Sequence, residues 1–176
     1  MKAPRAGSKA QLYRELGEQA AALLHGETDP VANAANLCAL IWHTLPDLNW
    51  AGFYFLRDGE LVLGPFQGRP ACVRIALGKG VCGAAASRRE SVIVKNVHEF
   101  PGHIVCDSAS NSEIVVPLVN GRELLGVLDL DSPRLARFDE ADRAGLETLA
   151  AVWTTATHPS PLVQRGRRVR SRRSRG

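Results

Sequence analysis

The sequence lacks an apolar run long enough to cross a membrane. No stretch of its 176 residues approaches the roughly 18 consecutive apolar residues of a transmembrane helix. The N-terminal segment does not resemble a secretory signal either, because Glu15 and Glu18 interrupt its apolar residues. We therefore expect a cytoplasmic protein, in which thiols are kept reduced and a disulfide is more often transient and catalytic than structural.

Acidic residues are absent from residues 159–176, which hold seven arginines. The rest of the chain has 15 basic and 18 acidic residues, so the net charge of +4 comes from this tail. Like charges and few apolar residues predict that the tail is disordered. Such a tail can contact nucleic acid or an acidic membrane, although a solvated end without a part in the main activity is favoured. Residues 1–158 are predicted to form a single domain.

Two common functional motifs are also missing. The four cysteines form no C-x-x-C pair, which argues against a zinc ribbon or a thioredoxin-type site. The segment "GKGVCG" lacks the first glycine and the Ser or Thr of a phosphate-binding loop, so nucleotide hydrolysis is rejected. His98, His103, Cys106 and Asp107 are possible metal ligands, but their spacing matches no known closed site. A turn histidine bonded to backbone explains His103 more simply, and no metal is predicted.

Hydrophobic periodicity predicts an α+β domain. Apolar residues recur at helical spacing from Lys9 to about His25, and a second helix is expected after Asp29 as N-cap and Pro30 at the first helical position. A closing helix is expected after Asp139. Between them, the pattern changes to the alternation of an antiparallel sheet, interrupted by a short alanine-rich helix after "GKGVCG".

Two dipeptides predict hairpin turns within this sheet. Asp58-Gly59 joins "NWAGFYFLR" to "ELVLGPF", and Asn120-Gly121 joins "SEIVVPLV" to "RELLGVLDLDS". Both dipeptides are typical of tight hairpins, and Asn-Gly suits a type I′ turn in particular. The segments "ACVRIALG" and "SVIVKNV" are expected to add further strands.

Three of the four cysteines suggest redox chemistry. Cys38 falls on the apolar face of the second predicted helix, where a buried hydrophobic role is favoured. Cys72, Cys82 and Cys106 fall at loop or strand-end positions beside glycines. At such positions a thiol can be exposed, and backbone N–H groups can lower its pKa.

Three carboxylates interrupt otherwise apolar strands, namely Glu113, Asp129 and Asp131. Residues 129 and 131 share a strand face because side chains alternate. Acids that line a pocket can bind a substrate ammonium group, or one of them can carry a raised pKa and donate a proton. The alternative, a strand end in solvent, is more plausible for Asp131 than for Glu113.

Several segments together resemble the free methionine-(R)-sulfoxide reductase family, a catalytic branch of the GAF domains. They include "NWAGFYF", "GPFQGRPACVRI", "GKGVCG", "NVHEFPGHIVCDSASNSEIVVPL" and "LLGVLDLDS". The resemblance covers roughly residues 9–153. It implies a six-stranded antiparallel sheet flanked by N-terminal and C-terminal helices, with a cavity roofed by the segments that carry Cys82 and Cys106. It also implies reduction of the free amino acid methionine (R)-sulfoxide.

The resemblance implies which residues form the site. The family's motif cysteines and pocket residues correspond to Cys72, Cys82, Cys106, Trp50, Glu113, Asp129 and Asp131. A thiolate attacks the sulfoxide sulfur, a carboxylic acid protonates its oxygen, and a second thiol closes a disulfide. Trp50 is expected to contact the S-methyl group, although an ordinary core tryptophan remains an alternative.

Cys106 is predicted to attack, with Cys82 as the alternative. Cys72 is predicted to resolve, because the stretch "GPFQGRPAC" can hinge as a lid without breaking a sheet ladder. Asp129 is assigned to the α-ammonium group, and Glu113 and Asp131 to sulfoxide protonation.

The resemblance further implies no bound cofactor. It implies an external dithiol, usually thioredoxin, as reductant and homodimers as the common assembly. The rival interpretation is a non-catalytic GAF module that senses a small ligand or oxidation.

Overall fold

A computed structural model describes residues 8–102 and 108–158. The chain begins with two helices, α1 over Lys9–Leu23 and α2 over Pro30–Thr44. The Asp29 side chain accepts hydrogen bonds from the first backbone N–H groups of α2, and proline occupies the first helical position. The predicted cap of α2 is therefore confirmed, and α1 ends within two residues of the predicted position.

Six strands form one antiparallel sheet. Their bounds are β1 Trp50–Arg57, β2 Glu60–Gly68, β3 Arg74–Ala76, β4 Val92–Val94, β5 Ser112–Asn120 and β6 Glu123–Ser132. The spatial order is β3-β2-β1-β6-β5-β4, which places β1 and β6 at the centre. The short helix α3, Gly80–Arg88, follows β3, and α4, Glu140–Thr157, closes the fold. The predicted α+β class and the six-stranded sheet are confirmed.

The two hairpin turns differ from each other. Asp58 and Gly59 both have positive φ, 51° and 81°, as a type I′ turn requires. At the second hairpin, Asn120 pairs with Glu123, so the loop residues are Gly121 and Arg122. Only Gly121 has positive φ there, which is the pattern of a type II′ turn. The predicted type I′ turn was therefore wrong, because the ladder extends through Asn120 and shifts the loop by one residue.

The sheet is buried on both faces. One face packs against α1, α2 and α4 through residues such as Phe53, Ile114 and Leu130. The opposite face packs beneath α3 through residues such as Tyr54 and Val115. Because strand side chains alternate, each central strand supplies both cores, which explains why its sequence is almost continuously apolar.

A buried ionic cluster joins the first and last helices. Asp142 is fully buried, and its carboxylate accepts hydrogen bonds from the Tyr13 hydroxyl at 2.9 Å and from Arg137 Nη1 at 3.0 Å. Lys9 Nζ forms an ion pair with the same carboxylate.

Within the described ranges, no helix combines the length and apolar character that crossing a membrane requires.

We expect Asp142→Ala to lower the free energy of unfolding by about 3–5 kcal/mol, since it leaves the buried Arg137 guanidinium without its carboxylate. Urea unfolding measures this loss. The matched control is Glu140→Ala, which removes an exposed ion pair with Arg143 and should cost no more than about 1 kcal/mol. Similar losses in the two variants would contradict the importance of the buried cluster.

Candidate active site

A small cavity lies between α3 and the sheet face that α3 covers. Its volume is about 40 Å³. Strands β1, β5 and β6 form its floor, the first turn of α3 forms one wall, and the segment before β3 closes it. The lining residues are Trp50, Tyr54, Pro70, Ala71, Ile75, Lys79, Gly80, Val81, Cys82, Ser110, Glu113, Asp129 and Asp131.

Strand register brings three of the predicted site residues into one row. Asp131 of β6 pairs with Trp50 of β1 on one side and with Glu113 of β5 on the other. Asp129 lies two residues away on the same face of β6. Residues separated by up to 81 positions in the chain thus converge on one cavity, and the predicted pocket set is brought together.

Trp50 forms an aromatic wall of this cavity. Its indole stacks on Tyr54 and Phe66, with ring centroids 5.7 Å and 5.4 Å apart, and its Nε1 donates to the Arg69 carbonyl at 3.1 Å. The ring lies over Gly52, where any Cβ would collide with it. A glycine at this position therefore allows the indole to lie close to the sheet.

Cys82 lies in the first turn of α3 and is buried. Its Sγ donates a hydrogen bond to Asp129 Oδ2 at 3.3 Å. Burial, followed by the negative charges of Asp129 and Glu113, raises the pKa of this thiol well above its usual value. The expectation of a lowered pKa was wrong for Cys82, because burial and acidic neighbours outweigh the backbone N–H groups.

Glu113 and Asp129 form a buried carboxyl pair. Burial and then the negative charge of Asp129 raise the pKa of Glu113 well above its usual value. Burial also raises the pKa of Asp129, to about 7, while hydrogen bonds with Cys82 and Glu113 oppose that rise. The arrangement therefore favours a proton on Glu113, while the hydrogen bonds to Asp129 favour its charged form.

The segment before β3 is held against the cavity by side chains of β1. The Tyr54 hydroxyl donates to the Cys72 carbonyl at 3.0 Å, and Trp50 bonds the Arg69 carbonyl. Cys72 precedes β3 by two residues and is disulfide-bonded, whereas Cys82 is a free thiol. The predicted partner, Cys106, lies outside the described residues, so the Cys72–Cys106 pairing stays a prediction.

Cys38 does not contribute to the cavity. It lies on the buried side of α2, where its Sγ donates to the Pro65 carbonyl at 3.3 Å. Burial raises the pKa of this thiol to about 12. The predicted role of a small buried hydrophobic residue is confirmed.

Of the four possible metal ligands considered in the sequence, His98 alone lies within the described residues. His98 Nε2 lies 2.9 Å from Asn111 Oδ1, in a hydrogen bond just before the start of β5. His103, Cys106 and Asp107 lie outside the described ranges, as do residues 159–176. The predicted turn role of His103 and the predicted tail therefore stay predictions.

Several residues of the cavity were not predicted from the sequence, among them Tyr54 and Lys79. Tyr54 lies four residues after Trp50 in β1, and side chains at even spacing share one face of a strand. The alternation of β1 therefore places Tyr54 on the same face as Trp50. Lys79 is the N-cap residue of α3, which has no side-chain cap hydrogen bond. The segment "GKGVCG" departs from a phosphate-binding loop, and it contains no other local signal that places Lys79 at a cavity.

Known proteins share this fold and much of this sequence. The GAF domain family matches residues 29–156. The free methionine-R-sulfoxide reductase of Escherichia coli strain K12 is 51% identical over 144 residues, which cover 82% of this chain and 87% of that protein. The corresponding reductase of Saccharomyces cerevisiae is 44% identical over 151 residues, which cover 81% and 84%.

A solved structure is similar to this chain in both sequence and fold. The X-ray structure of free methionine-R-sulfoxide reductase from Neisseria meningitidis in complex with its substrate superposes with a TM-score of 0.83. Its sequence is 45% identical, and the match covers 86% of this chain and 92% of that one. On sequence and fold together, the chain belongs to the GAF domain family and, within it, to the free methionine-R-sulfoxide reductases.

Proposed function

We propose that this protein reduces free methionine (R)-sulfoxide to methionine by thiol chemistry. The observation that carries the proposal is the buried Glu113–Asp129 pair, which lies in one cavity with Trp50, Asp131 and the Cys82 thiol. Relatives at 51% and 44% identity are named for this activity. The cavity offers a proton donor, an anion and an aromatic wall, which are the groups that this substrate requires.

Each group has a separate task. Glu113 donates a proton to the sulfoxide oxygen, because its raised pKa favours the protonated form. Asp131, its cross-strand neighbour, assists this protonation. Asp129 ionises more readily and pairs the α-ammonium group. Trp50 contacts the S-methyl group, in a sulfur–aromatic interaction worth about 0.3–1.5 kcal/mol.

The other end of the amino acid meets the first turn of α3. Lys79 is a cation at the cavity, and the N–H groups at the start of the helix favour an anion. The α-carboxylate is the anionic group of the substrate. Recognition of both α-substituents explains selectivity for the free amino acid, since peptide-bound methionine has neither charge.

The thiol chemistry then proceeds in three steps. A cysteine thiolate attacks the sulfoxide sulfur, and the protonated oxygen is transferred from that sulfur to the cysteine sulfur. Methionine leaves, and the cysteine remains as a sulfenic acid. A second thiol displaces water from the sulfenic acid and forms a disulfide. An external dithiol, thioredoxin in this proposal, reduces that disulfide by exchange. The cytoplasmic location predicted from the sequence belongs to the same proposal, since recycling requires a dithiol pool.

The segment before β3 is proposed to move as a lid over the cavity. A cavity needs about 10–15 Å³ to hold one water. The observed 40 Å³ therefore accommodates a few waters and is too small for methionine sulfoxide. Because Pro70 and Ala71 line the cavity and the adjacent Cys72 is disulfide-bonded, we assign this form to the closed, oxidised state. Reduction releases the lid and admits the substrate.

We expect peptide mapping of substrate-oxidised protein, under non-reducing conditions, to yield a dominant Cys72–Cys106 linkage. Its physical reason is that Cys72 lies on the segment that closes the cavity, while Cys82 is held in α3. The Cys38→Ser variant should give the same map. A dominant Cys82–Cys106 or Cys72–Cys82 linkage would refute the lid but leave the reductase activity standing.

The activity itself is tested with reduced full-length protein, dithiothreitol and free methionine (R)-sulfoxide. We expect methionine to accumulate over many turnovers. N-acetylmethionine (R)-sulfoxide, which lacks the ammonium group, should react at least about 100-fold more slowly, because a buried carboxylate is left without its partner. Failure to form methionine would favour the non-catalytic sensor. Equal rates on the two substrates would contradict the role of Asp129.

A further inference from the structure

The cavity also contains the donor set of a metal site. One ligand atom each of Cys82, Glu113 and Asp129 lies within 4.8 Å of the other two, and all three residues are buried. Cys82 Sγ is 3.3 Å from Asp129 Oδ2. In a tetrahedral zinc site with Zn–S near 2.3 Å and Zn–O near 2.1 Å, ligand atoms lie about 3.4–3.6 Å apart. The three donors therefore need little movement to share one ion.

A second observation points to a missing partner. Asp129 is only 6% exposed, and its Oδ1 atom has no hydrogen-bond partner within the described part of the chain. A buried carboxylate oxygen that lines a cavity without a partner is costly unless a donor or a cation reaches it. The cavity volume of about 40 Å³ accommodates an ion together with a water ligand.

The donor types select the class of metal. Magnesium and calcium prefer all-oxygen sites, whereas a thiolate with two carboxylates suits a borderline or soft divalent cation. Three protein ligands with a fourth, open position are typical of zinc sites that are accessible to small molecules.

We propose that the reduced protein binds one zinc ion through Cys82, Glu113 and Asp129. On binding, the Cys82 thiol and a protonated carboxyl release their protons to the buffer, and Zn–S and Zn–O bonds replace the hydrogen bond from Cys82 to Asp129. No electron is transferred. The ion fills the space that the substrate requires and is a reversible competitor of it. The binding does not depend on the proposed reductase activity, whereas the inhibition rests on it.

Cadmium is a suitable probe, because a Cd–thiolate bond has a charge-transfer absorption in the ultraviolet. Full-length protein, reduced with a phosphine, is titrated with Cd²⁺, and Zn²⁺ is then added to displace it. We expect one equivalent of Cd²⁺ to saturate the band. Cys82→Ala should abolish the band. Asp129→Asn should weaken the affinity by at least about 100-fold, more than the 10–100-fold typical of losing an outer-shell partner.

Cys72→Ser and Cys106→Ser are the matched cysteine controls and should retain the band, and circular dichroism verifies that each variant is folded. If Cys82→Ala retains the band, or Cys106→Ser loses it, the proposed ligand set is wrong. An unchanged affinity in Asp129→Asn, or no stoichiometric band in the parent protein, overturns the site. Binding by these criteria without inhibition of methionine formation would leave the site standing and contradict only the competition with substrate.

Discussion

Cys106→Ser is expected to abolish methionine formation, including the first equivalent in a single turnover, while Cys82→Ser still releases one equivalent. Attack on the sulfoxide requires a thiolate. Burial and the neighbouring Asp129 and Glu113 raise the pKa of Cys82, so its thiolate is strongly disfavoured in the cavity. Cys82, the alternative attacker, is therefore a poor nucleophile, and Cys106 remains the predicted attacker.

The measurement is methionine released per protein from pre-reduced enzyme without external dithiol. The attacking cysteine is needed for the first methionine, and a resolving cysteine is needed only for recycling. The loss in Cys106→Ser should exceed about 1,000-fold, since removal of a nucleophile elsewhere costs up to about 10⁶. One equivalent of methionine from Cys106→Ser, with none from Cys82→Ser, would assign the attack to Cys82.

Glu113→Gln is expected to lower kcat by about 10²–10⁴-fold, the range typical of a lost general acid. Glutamine occupies nearly the same volume and can still donate a hydrogen bond, but it cannot transfer a proton. Binding of the substrate should change much less, because Asp129 and Trp50 remain. The matched control is Glu60→Gln, an exposed glutamate on β2 outside the cavity, which should leave kcat unchanged.

Turnover is also expected to depend on pH through the protonation of Glu113. Burial and the charge of Asp129 raise the pKa of Glu113, so the acid is protonated below that raised pKa and is lost as the pH rises through it. Turnover should therefore decline on the alkaline side. Glu113→Gln should remove this decline, since amide protonation does not change there. A decline that persists in Glu113→Gln but disappears in Asp131→Asn would transfer the role of proton donor to Asp131.

Local signals were sufficient for most of the fold. Asp29-Pro30 specifies a helix start by itself, because the side chain caps the first N–H groups and proline lacks the donor that would be unsatisfied. Asp58-Gly59 specifies a hairpin because both residues tolerate positive φ. Asn120-Gly121 identified the second hairpin but not its turn type, since the length of the ladder decided which residues form the loop.

The sequence also identified the members of the site as residue types. Alternation placed Asp129 and Asp131 on one face of a strand, and their interruption of an apolar run indicated a pocket. The cysteine-containing segments of the sequence indicated the free methionine-R-sulfoxide reductase family, and the relatives confirm that family. These inferences depend on short-range spacing and on recognisable segments, both of which the sequence contains directly.

Only the tertiary structure decided how those residues act on one another. Pairing of β1, β6 and β5 aligns Trp50, Asp131 and Glu113, and packing of α3 places Cys82 against Asp129. The pKa shifts arise from burial and from charges brought together across the sheet, so no local spacing predicts them. For that reason, the sequence determined the fold class and the chemical groups, while long-range packing decided which group holds a proton.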